Sequence, residues 1–147
     1  YLYIKEKDLG VYNEKGLEIK IIAGKFKNVE GPEKNHNVEP IYFHIKLSQK
    51  KQFNYKVPNQ HNAFIYLLKG DLEIGKENKE KTNDSQLILL EKGNDLNIVA
   101  NKNSEFLFIA GKPIGEKIAR GGPFVMNTKE EINQAIQDYQ NGTFAKY

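Results

Sequence analysis

Apolar and polar residues alternate along much of this 147-residue chain, and this period of two constrains its fold more than any other feature. Residues 17–23 and 41–47 carry apolar side chains at every second position, and residues 72–74 repeat the pattern over a shorter stretch. Such alternation predicts strands with one buried face and one more polar face. Because many short strands follow one another, the expected fold class is an all-β sandwich or barrel.

Three further runs, residues 63–68, 87–90 and 106–110, are apolar at odd and even positions alike, so we expect them to lie deeper in the fold. Turn signals at 69–71 and 92–95 predict two hairpins. The polar stretches 25–40 and 76–86 are expected to be surface loops.

One helix is predicted at the C-terminal end of the chain, over residues 128–142. Thr128 and Glu131 have the spacing of a capping box, and Gly142 supplies a stop. The apolar stripe of the helix consists of Ile132, Ala135, Ile136 and Tyr139. Because a helix of about a dozen residues is marginal alone in water, we expect the stripe to close an open end of the β core.

Composition excludes several classes of function. The net charge of +3 comes from 22 basic and 19 acidic residues that are interleaved, and Arg120 is the single arginine, so we expect no direct nucleic-acid binding. The chain has no cysteine, and its longest apolar run is far shorter than a membrane helix. We expect a soluble, intracellular, cytoplasmic protein with no membrane partner. Its length suits one domain over residues 1–147, in which residues 1–12 form a linker or a first short strand.

Several segments resemble the pirin family. The closing stretch GPFVMNT at 122–128 and the helix that follows are similar to the end of a pirin. HNAFIYLLKG at 61–70, FIAGKPIGE at 108–116 and IIAG at 21–24 are similar to the same family's second domain. The resemblance covers nearly the whole chain. Pirins contain two cupin domains, and this chain corresponds to the second, so the resemblance implies a cupin-type jelly-roll β-barrel or sandwich with one C-terminal helix.

The resemblance also tells where a metal would be held. Cupins with redox chemistry generally bind a divalent metal through His-x-His, a Glu a few residues later and one further His. Counted back from the apolar run at 64–68, these positions fall on Lys56, Pro58 and Asn62, which are poor metal ligands. A shift of one residue places His61 in a ligand position, but no histidine follows it. We therefore predict no metal, no other cofactor and no catalytic residue in this chain.

The three histidines have different expected surroundings. His36 lies in a polar loop and should be solvated, whereas His44 shares its strand face with Lys46 and should be half exposed. His61 precedes the central strand and is expected to hydrogen-bond the loop at the barrel mouth, with substrate contact as the alternative. The candidates for ligand contacts at this mouth are His61, Asn62, Tyr66 and Lys56.

Eight aromatic residues are expected in the barrel core, although the same residues could line a ligand cavity. They are Tyr42, Phe43, Phe53, Tyr55, Phe64, Tyr66, Phe106 and Phe108. An apolar patch is expected on the surface of the isolated chain, because a partner domain would normally cover it. Its candidate residues are Phe124, Val125 and Met126, and the isolated chain is expected to self-associate.

Three hypotheses on function stay open. In the first, the chain is a metal-free C-terminal cupin domain that acts as the structural and interaction half beside an N-terminal cupin, or beside a second copy. The resemblance implies a divalent metal, expected to be iron, in that N-terminal half, and transcription regulators as partners of some pirins. In the second, the chain belongs to a quercetin 2,3-dioxygenase-like enzyme and shapes its substrate cleft. In the third, it is a stand-alone cupin that binds a small ligand.

Overall fold

The computed structural model describes residues 3–34, 37–76, 80–82 and 84–145. They belong to two compact units, Tyr1–Pro113 and Ile114–Tyr147. The first unit is built of strands, and the second holds a short hairpin and the helix. This confirms an all-β fold class with one C-terminal helix, and the sheets of the first unit form a sandwich and not a closed barrel.

Among its described residues, the first unit has a short 3₁₀ helix at Glu6–Asp8 followed by twelve strands. These are β1 (Gly10–Glu14), β2 (Leu17–Ala23), β3 (Lys25–Phe26), β4 (Val29–Glu30), β5 (Ile41–Leu47), β6 (Gln52–Lys56), β7 (Asn62–Lys69), β8 (Leu72–Ile74), β9 (Glu80–Lys81), β10 (Gln86–Leu90), β11 (Asp95–Ala100) and β12 (Ser104–Gly111). A six-stranded sheet has the order β1-β2-β5-β12-β7-β10, and a four-stranded sheet has the order β6-β11-β8-β9. β3 and β4 form a separate hairpin.

The core lies between the inner faces of the two sheets. Strands β2 and β5 alternate between buried and more exposed residues as the period of two predicts. Phe43, Phe53, Phe106 and Phe108 are fully buried and make mutual ring contacts, with 6.2 Å between the centroids of Phe53 and Phe106. Aromatic rings in offset or edge-to-face contact add stabilisation beyond their buried area. The core is therefore an aromatic cluster shared by both sheets.

The prediction of a polar surface loop at 25–40 is wrong for its first part. This segment contains the β3–β4 hairpin, and Phe26 at the end of β3 is buried in the aromatic cluster. Its ring lies 5.6 Å from that of Phe53, stacked at an interplanar angle of 23°. A single apolar residue among charged neighbours has no periodicity, so the pattern could not reveal it.

The two predicted hairpins at 69–71 and 92–95 are also wrong. β7 and β8 lie in different sheets, as do β10 and β11, so each turn carries the chain from one sheet to the other. Gly70 has φ 111°, and a Cβ at this position would collide with Ser104. The residues at 69–71 and 92–95 do form turns. The identity of turn residues, however, does not determine which sheet the next strand joins.

The apolar run at 87–90 does not lie deep in the fold. β10 is an edge strand, and the outward-facing side chains of Leu87 and Leu89 are 56% and 76% exposed. Tyr66 and Leu68 on the neighbouring β7 are also exposed. The aromatic residues expected in the core also divide between the two faces of the sheets. The four phenylalanines named above point inward, whereas Tyr42, Phe64 and Tyr66 point to the outer face.

The second unit contains β13 (Ala119–Gly121), β14 (Phe124–Met126) and helix α1 (Lys129–Gln140). The capping box is present, because Glu131 N–H donates to Thr128 Oγ1 at 3.2 Å and Thr128 N–H donates to Glu131 Oε2 at 2.8 Å. Ile132 and Ala135 are buried, and Ile132 lies directly against Gly121 of the hairpin. The contacts given for the stripe are therefore with the β13–β14 hairpin of its own unit.

No helix in the described ranges is both long and apolar enough to span a bilayer.

Candidate functional site

His61 is the buried histidine of the first unit, with only 5% of its surface exposed. It ends the turn between β6 and β7, where its N–H donates to the carbonyl of Pro58 at 2.9 Å. Its Nε2 lies 2.9 Å from the main-chain oxygen of Glu39. Because a carbonyl can only accept, Nε2 carries the proton and donates it. His61 thus fastens the 37–40 segment to the start of β7, as its predicted role at the loop requires.

The second ring nitrogen of His61 has a different environment. Nδ1 is buried and has no hydrogen-bond partner among the described residues. In the neutral imidazole, protonation of Nε2 leaves Nδ1 as an acceptor. A buried acceptor without a partner is costly by about 1–3 kcal/mol and is therefore a feature to explain.

Two cavities share His61 in their lining. One has a volume of about 560 Å³ and is bounded by Glu39, Tyr55 and Pro58 among others. The other has a volume of about 130 Å³ and is bounded by Val57, Ala63, Ile74, Leu90, Glu91 and Leu96 among others. The smaller cavity is lined by residues of β7, β8, β10 and β11 and by Val57, which directly follows β6.

Charged groups around the larger cavity are paired with each other. Glu30 Oε1 lies 3.0 Å from Lys25 Nζ, and Glu30 Oε2 lies 3.4 Å from Lys34 Nζ. These hydrogen bonds and charges, with Lys25 the larger cause, lower the pKa of Glu30 below its ordinary value. Tyr55 donates its hydroxyl to the carbonyl of Lys25 at 3.1 Å, and burial raises its pKa. On this rim Lys25, Glu30, Lys34 and the Tyr55 hydroxyl are therefore held by contacts with one another.

The structure does not gather the four residues predicted at the barrel mouth. Lys56 and Asn62 are exposed and line neither of the two cavities. Tyr66 is 38% exposed and lies on the outer face of the six-stranded sheet, because its neighbours Ile65 and Leu67 point inward. Only His61 reaches the interior end of the sandwich. His36 lies outside the described residues.

The residues at the expected metal positions do not fit a metal ion. Lys56 is a cation, Pro58 has no side-chain donor atom, and Asn62 offers an amide in place of a carboxylate. His61 uses Nε2 as a donor, so that atom has no lone pair to offer. Within the described ranges no group of three or more His, Cys, Asp or Glu side chains is arranged to hold a metal.

His44 lies on the outer face of the six-stranded sheet in a polar cluster. Its Nε2 is 2.7 Å from Glu105 Oε1, and Lys69 Nζ is 3.1 Å from Glu105 Oε2. The hydrogen bond from Lys69, followed by that from His44, lowers the pKa of Glu105 although partial burial acts in the opposite direction. The half-exposed surroundings predicted for His44 are confirmed, with 24% of its side chain exposed.

An apolar groove lies within the second unit. It is lined by Pro123, Phe124, Val125, Met126, Tyr139 and Phe144. The rings of Phe124 and Phe144 are 5.1 Å apart, and Val125 is 62% exposed. The three predicted interface residues therefore lie together on one apolar surface.

Residues 42–145 match the family model described as the pirin C-terminal cupin domain. The chain belongs to the pirin family. It is 34% identical to Pirin-1 of Arabidopsis thaliana over 96% of this pirin domain and 50% of that protein. It is 31% identical to pirin of Mus musculus over 96% of the domain and 49% of that protein. The domain thus spans about half the length of these curated relatives.

A solved structure of similar fold supports the same assignment for this pirin domain. A crystal structure of quercetin 2,3-dioxygenase from Acinetobacter baumannii aligns with a TM-score of 0.77 and 29% sequence identity. The alignment covers 97% of the pirin domain and 50% of that chain. The resemblance inferred from the sequence is thereby confirmed.

Sequence reasoning missed the partner of His61. Glu39 contributes its main-chain oxygen from a residue with φ 45°, so neither its side chain nor its spacing marks it. The apolar run at 87–90 predicts interior side chains, whereas Leu87 and Leu89 of β10 are exposed. Knowledge of the strand order would have shown that these leucines lie on an edge strand, but strand order cannot be read from a single sequence.

Proposed function

We propose that this pirin-family chain is a metal-free C-terminal cupin domain that acts as the structural and interaction half beside a metal-binding N-terminal cupin. One observation carries the proposal: the three positions expected to hold a metal are occupied by Lys56, Pro58 and Asn62. The first repels a cation and the second has no ligand atom. Catalytic chemistry by a bound metal would then belong to the other half.

The apolar groove of the second unit supports an interaction role. Phe124, Val125 and Met126 form one strand of a short hairpin, and the groove is open to solvent beside them. Contiguous exposed apolar surface usually marks a contact with another protein or domain. We propose the N-terminal cupin of the same protein, or a second copy of the chain, as the group that covers it. Binding of transcription regulators stays an expectation from the family.

The second candidate function is a part in a quercetin 2,3-dioxygenase-like enzyme. It is supported by the name of the Acinetobacter baumannii structure, half of which this chain resembles. Here the divalent metal, expected to be iron, would be held by the N-terminal half. The present chain would shape one wall of the substrate cleft.

A chimera tests the two roles together. The half of the Acinetobacter baumannii protein that this chain does not match would be fused to residues 1–147 and assayed for flavonol cleavage with added Fe²⁺. The structural role predicts that the isolated chain is inactive and that the fusion is more stable than the isolated N-terminal half. Cleavage by the fusion but not by either half favours the enzymatic role. Cleavage by the isolated chain with metal contradicts the metal-free proposal.

The third candidate, binding of a small ligand, is favoured by the unpartnered Nδ1 of His61 beside a cavity of about 130 Å³. A ligand that binds only the folded chain raises its melting temperature. A metabolite panel would be screened against wild type and His61→Phe, which keeps an aromatic ring but lacks the acceptor. Stabilisation of wild type alone supports this candidate, and no stabilisation of either protein contradicts it.

A further inference from the structure

The smaller cavity beside His61 has the size and apolar lining of a site for a small molecule. Its volume is about 130 Å³. A protein cavity of about 150 Å³ lined by apolar side chains can bind benzene. Five apolar residues contribute to the lining here, namely Val57, Ala63, Ile74, Leu90 and Leu96. The cavity therefore suits an apolar group no larger than a benzene ring.

One buried polar atom beside this cavity lacks a hydrogen bond. Nε2 of His61 donates to the carbonyl of Glu39, which lines the larger cavity and not the smaller one. Nδ1 is then an acceptor, and it has no partner among the described residues. Because His61 also forms part of the wall of the smaller cavity, Nδ1 is the ring nitrogen left for a molecule bound there. A bound N–H or O–H group would remove the cost of the unsatisfied acceptor.

The charged side chains that line the smaller cavity are both acidic. They are Glu91 and Asp95, and both are exposed. Lys56, Lys76 and Lys92 are close in sequence to lining residues, but none of them lines the cavity. Lys76 Nζ lies 3.9 Å from Asp95 Oδ2 with both side chains more than half exposed, and such a pair contributes little. Since no metal-holding group of acidic or histidine side chains occurs in the described part of the chain, the charge favours an organic cation.

We propose that this cavity binds a small primary amine, whose ammonium group donates to His61 Nδ1 and is attracted by Glu91 and Asp95. The apolar part of the amine would pack among the five apolar side chains. A primary ammonium is charged at neutral pH and has three N–H donors and no acceptor. Its donors match an imidazole acceptor and two carboxylates, whereas a carboxylate ligand would meet like charges. The inference rests on the third candidate function, binding of a small ligand, and gives that ligand a chemical class.

Three probes that carry the same 3-methylbutyl group test the class of ligand. They are 3-methylbutylamine, 3-methylbutanol and 4-methylpentanoate, which are cationic, neutral and anionic at neutral pH. An NMR titration of the ¹⁵N-labelled chain measures the affinity of each. The amine should bind at least about tenfold more tightly than the alcohol, because hydrogen bonds with a charged partner are the stronger kind. Equal or tighter binding of the alcohol or of the pentanoate overturns the proposal.

Substitution of the two carboxylates tests the source of the preference. The double variant Glu91→Gln, Asp95→Asn should lose most of the preference for the amine and bind the alcohol as wild type does. Glu18→Gln is the matched control, because it removes an exposed-face carboxylate that does not line this cavity. An equal loss of amine binding in Glu18→Gln would show that the overall charge of the chain attracts the amine, and it would overturn the proposed site.

The ¹⁵N resonance of His61 Nδ1 tests the contact in the wild-type chain, without any substitution. Addition of the amine to saturation should shift this resonance, because the atom gains a hydrogen bond. His44 serves as the internal control, since it lies on the outer face of the six-stranded sheet and its Nε2 contacts Glu105. An unchanged His61 Nδ1 resonance at saturation contradicts the proposal.

Failure of this inference differs from failure of the candidate function on which it rests. A panel metabolite that is neutral and stabilises wild type but not His61→Phe, together with no binding of 3-methylbutylamine, would contradict the amine class and support small-ligand binding. No binding of the amine and no stabilisation by any panel metabolite would contradict both.

Discussion

The two faces of the six-stranded sheet are built from the same strands but have different roles. On β7, Ile65 and Leu67 are fully buried, whereas Tyr66 and Leu68 between and beside them are more than one-third exposed. The inner face is filled by the aromatic core. The outer face is divided between a charged cluster around Glu105 and an apolar surface toward β10. The comparison teaches that apolar character alone does not identify the core in this chain.

The largest expected effect is a loss of stability from substitution of an inward-facing residue of β12, compared with the same substitution at its outward-facing neighbour. Phe106→Ala should lower the free energy of unfolding by about 3–5 kcal/mol, because it removes a fully buried ring and leaves a cavity. Leu107→Ala changes the next residue, which is half-buried on the outer face, and should cost clearly less. Urea denaturation of both variants measures the difference. Equal losses would show that the outer face is as well packed as the inner one.

The two described histidines provide the next comparison. His61→Leu leaves the carbonyl of Glu39 without its donor and should cost about 1–3 kcal/mol. His44→Leu removes a partly exposed contact to Glu105 and should cost less than about 1 kcal/mol. Urea denaturation at neutral pH compares them. A larger loss from His44→Leu would contradict the assignment of His61 as the histidine whose hydrogen bond stabilises the 37–40 segment.

The smallest expected effect concerns acid stability. Contacts with Lys69 and His44 lower the folded-state pKa of Glu105, so its ion pairs stabilise the fold above the ordinary glutamate value of 4.5. This contribution is lost as pH falls through the lowered pKa. Glu105→Gln should therefore lose less stability than wild type between pH 7 and the acid range, by under about 1 kcal/mol. Parallel losses in the two proteins would show that the cluster contributes nothing measurable.

Local signals predicted the elements of this chain well. Thr128, Glu131 and Gly142 determine the helix ends through contacts within a few residues, and the structure has the helix at Lys129–Gln140. The alternation at 17–23 and 41–47 predicted β2 and β5, because a strand that separates core from solvent must alternate. The family could be recognised because the closing motif is specific to it.

Features that depend on distant residues could not be predicted in this way. Phe26 enters the core through the β3–β4 hairpin, and the partner of His61 is a main-chain oxygen 22 residues away. Leu87 and Leu89 are exposed although their run predicts the interior, because periodicity does not distinguish a central strand from an apolar edge strand. Each of these cases depends on contacts between residues far apart in the sequence, and those contacts are a property of the whole fold.

Metal content tests the central claim most directly. The purified 147-residue chain would be incubated anaerobically with excess Fe²⁺, desalted and analysed by mass spectrometry for iron, with His61→Leu as the matched control. The metal-free proposal predicts retained iron well below one ion per chain in both proteins. One tightly held ion per wild-type chain that is lost in His61→Leu would contradict it.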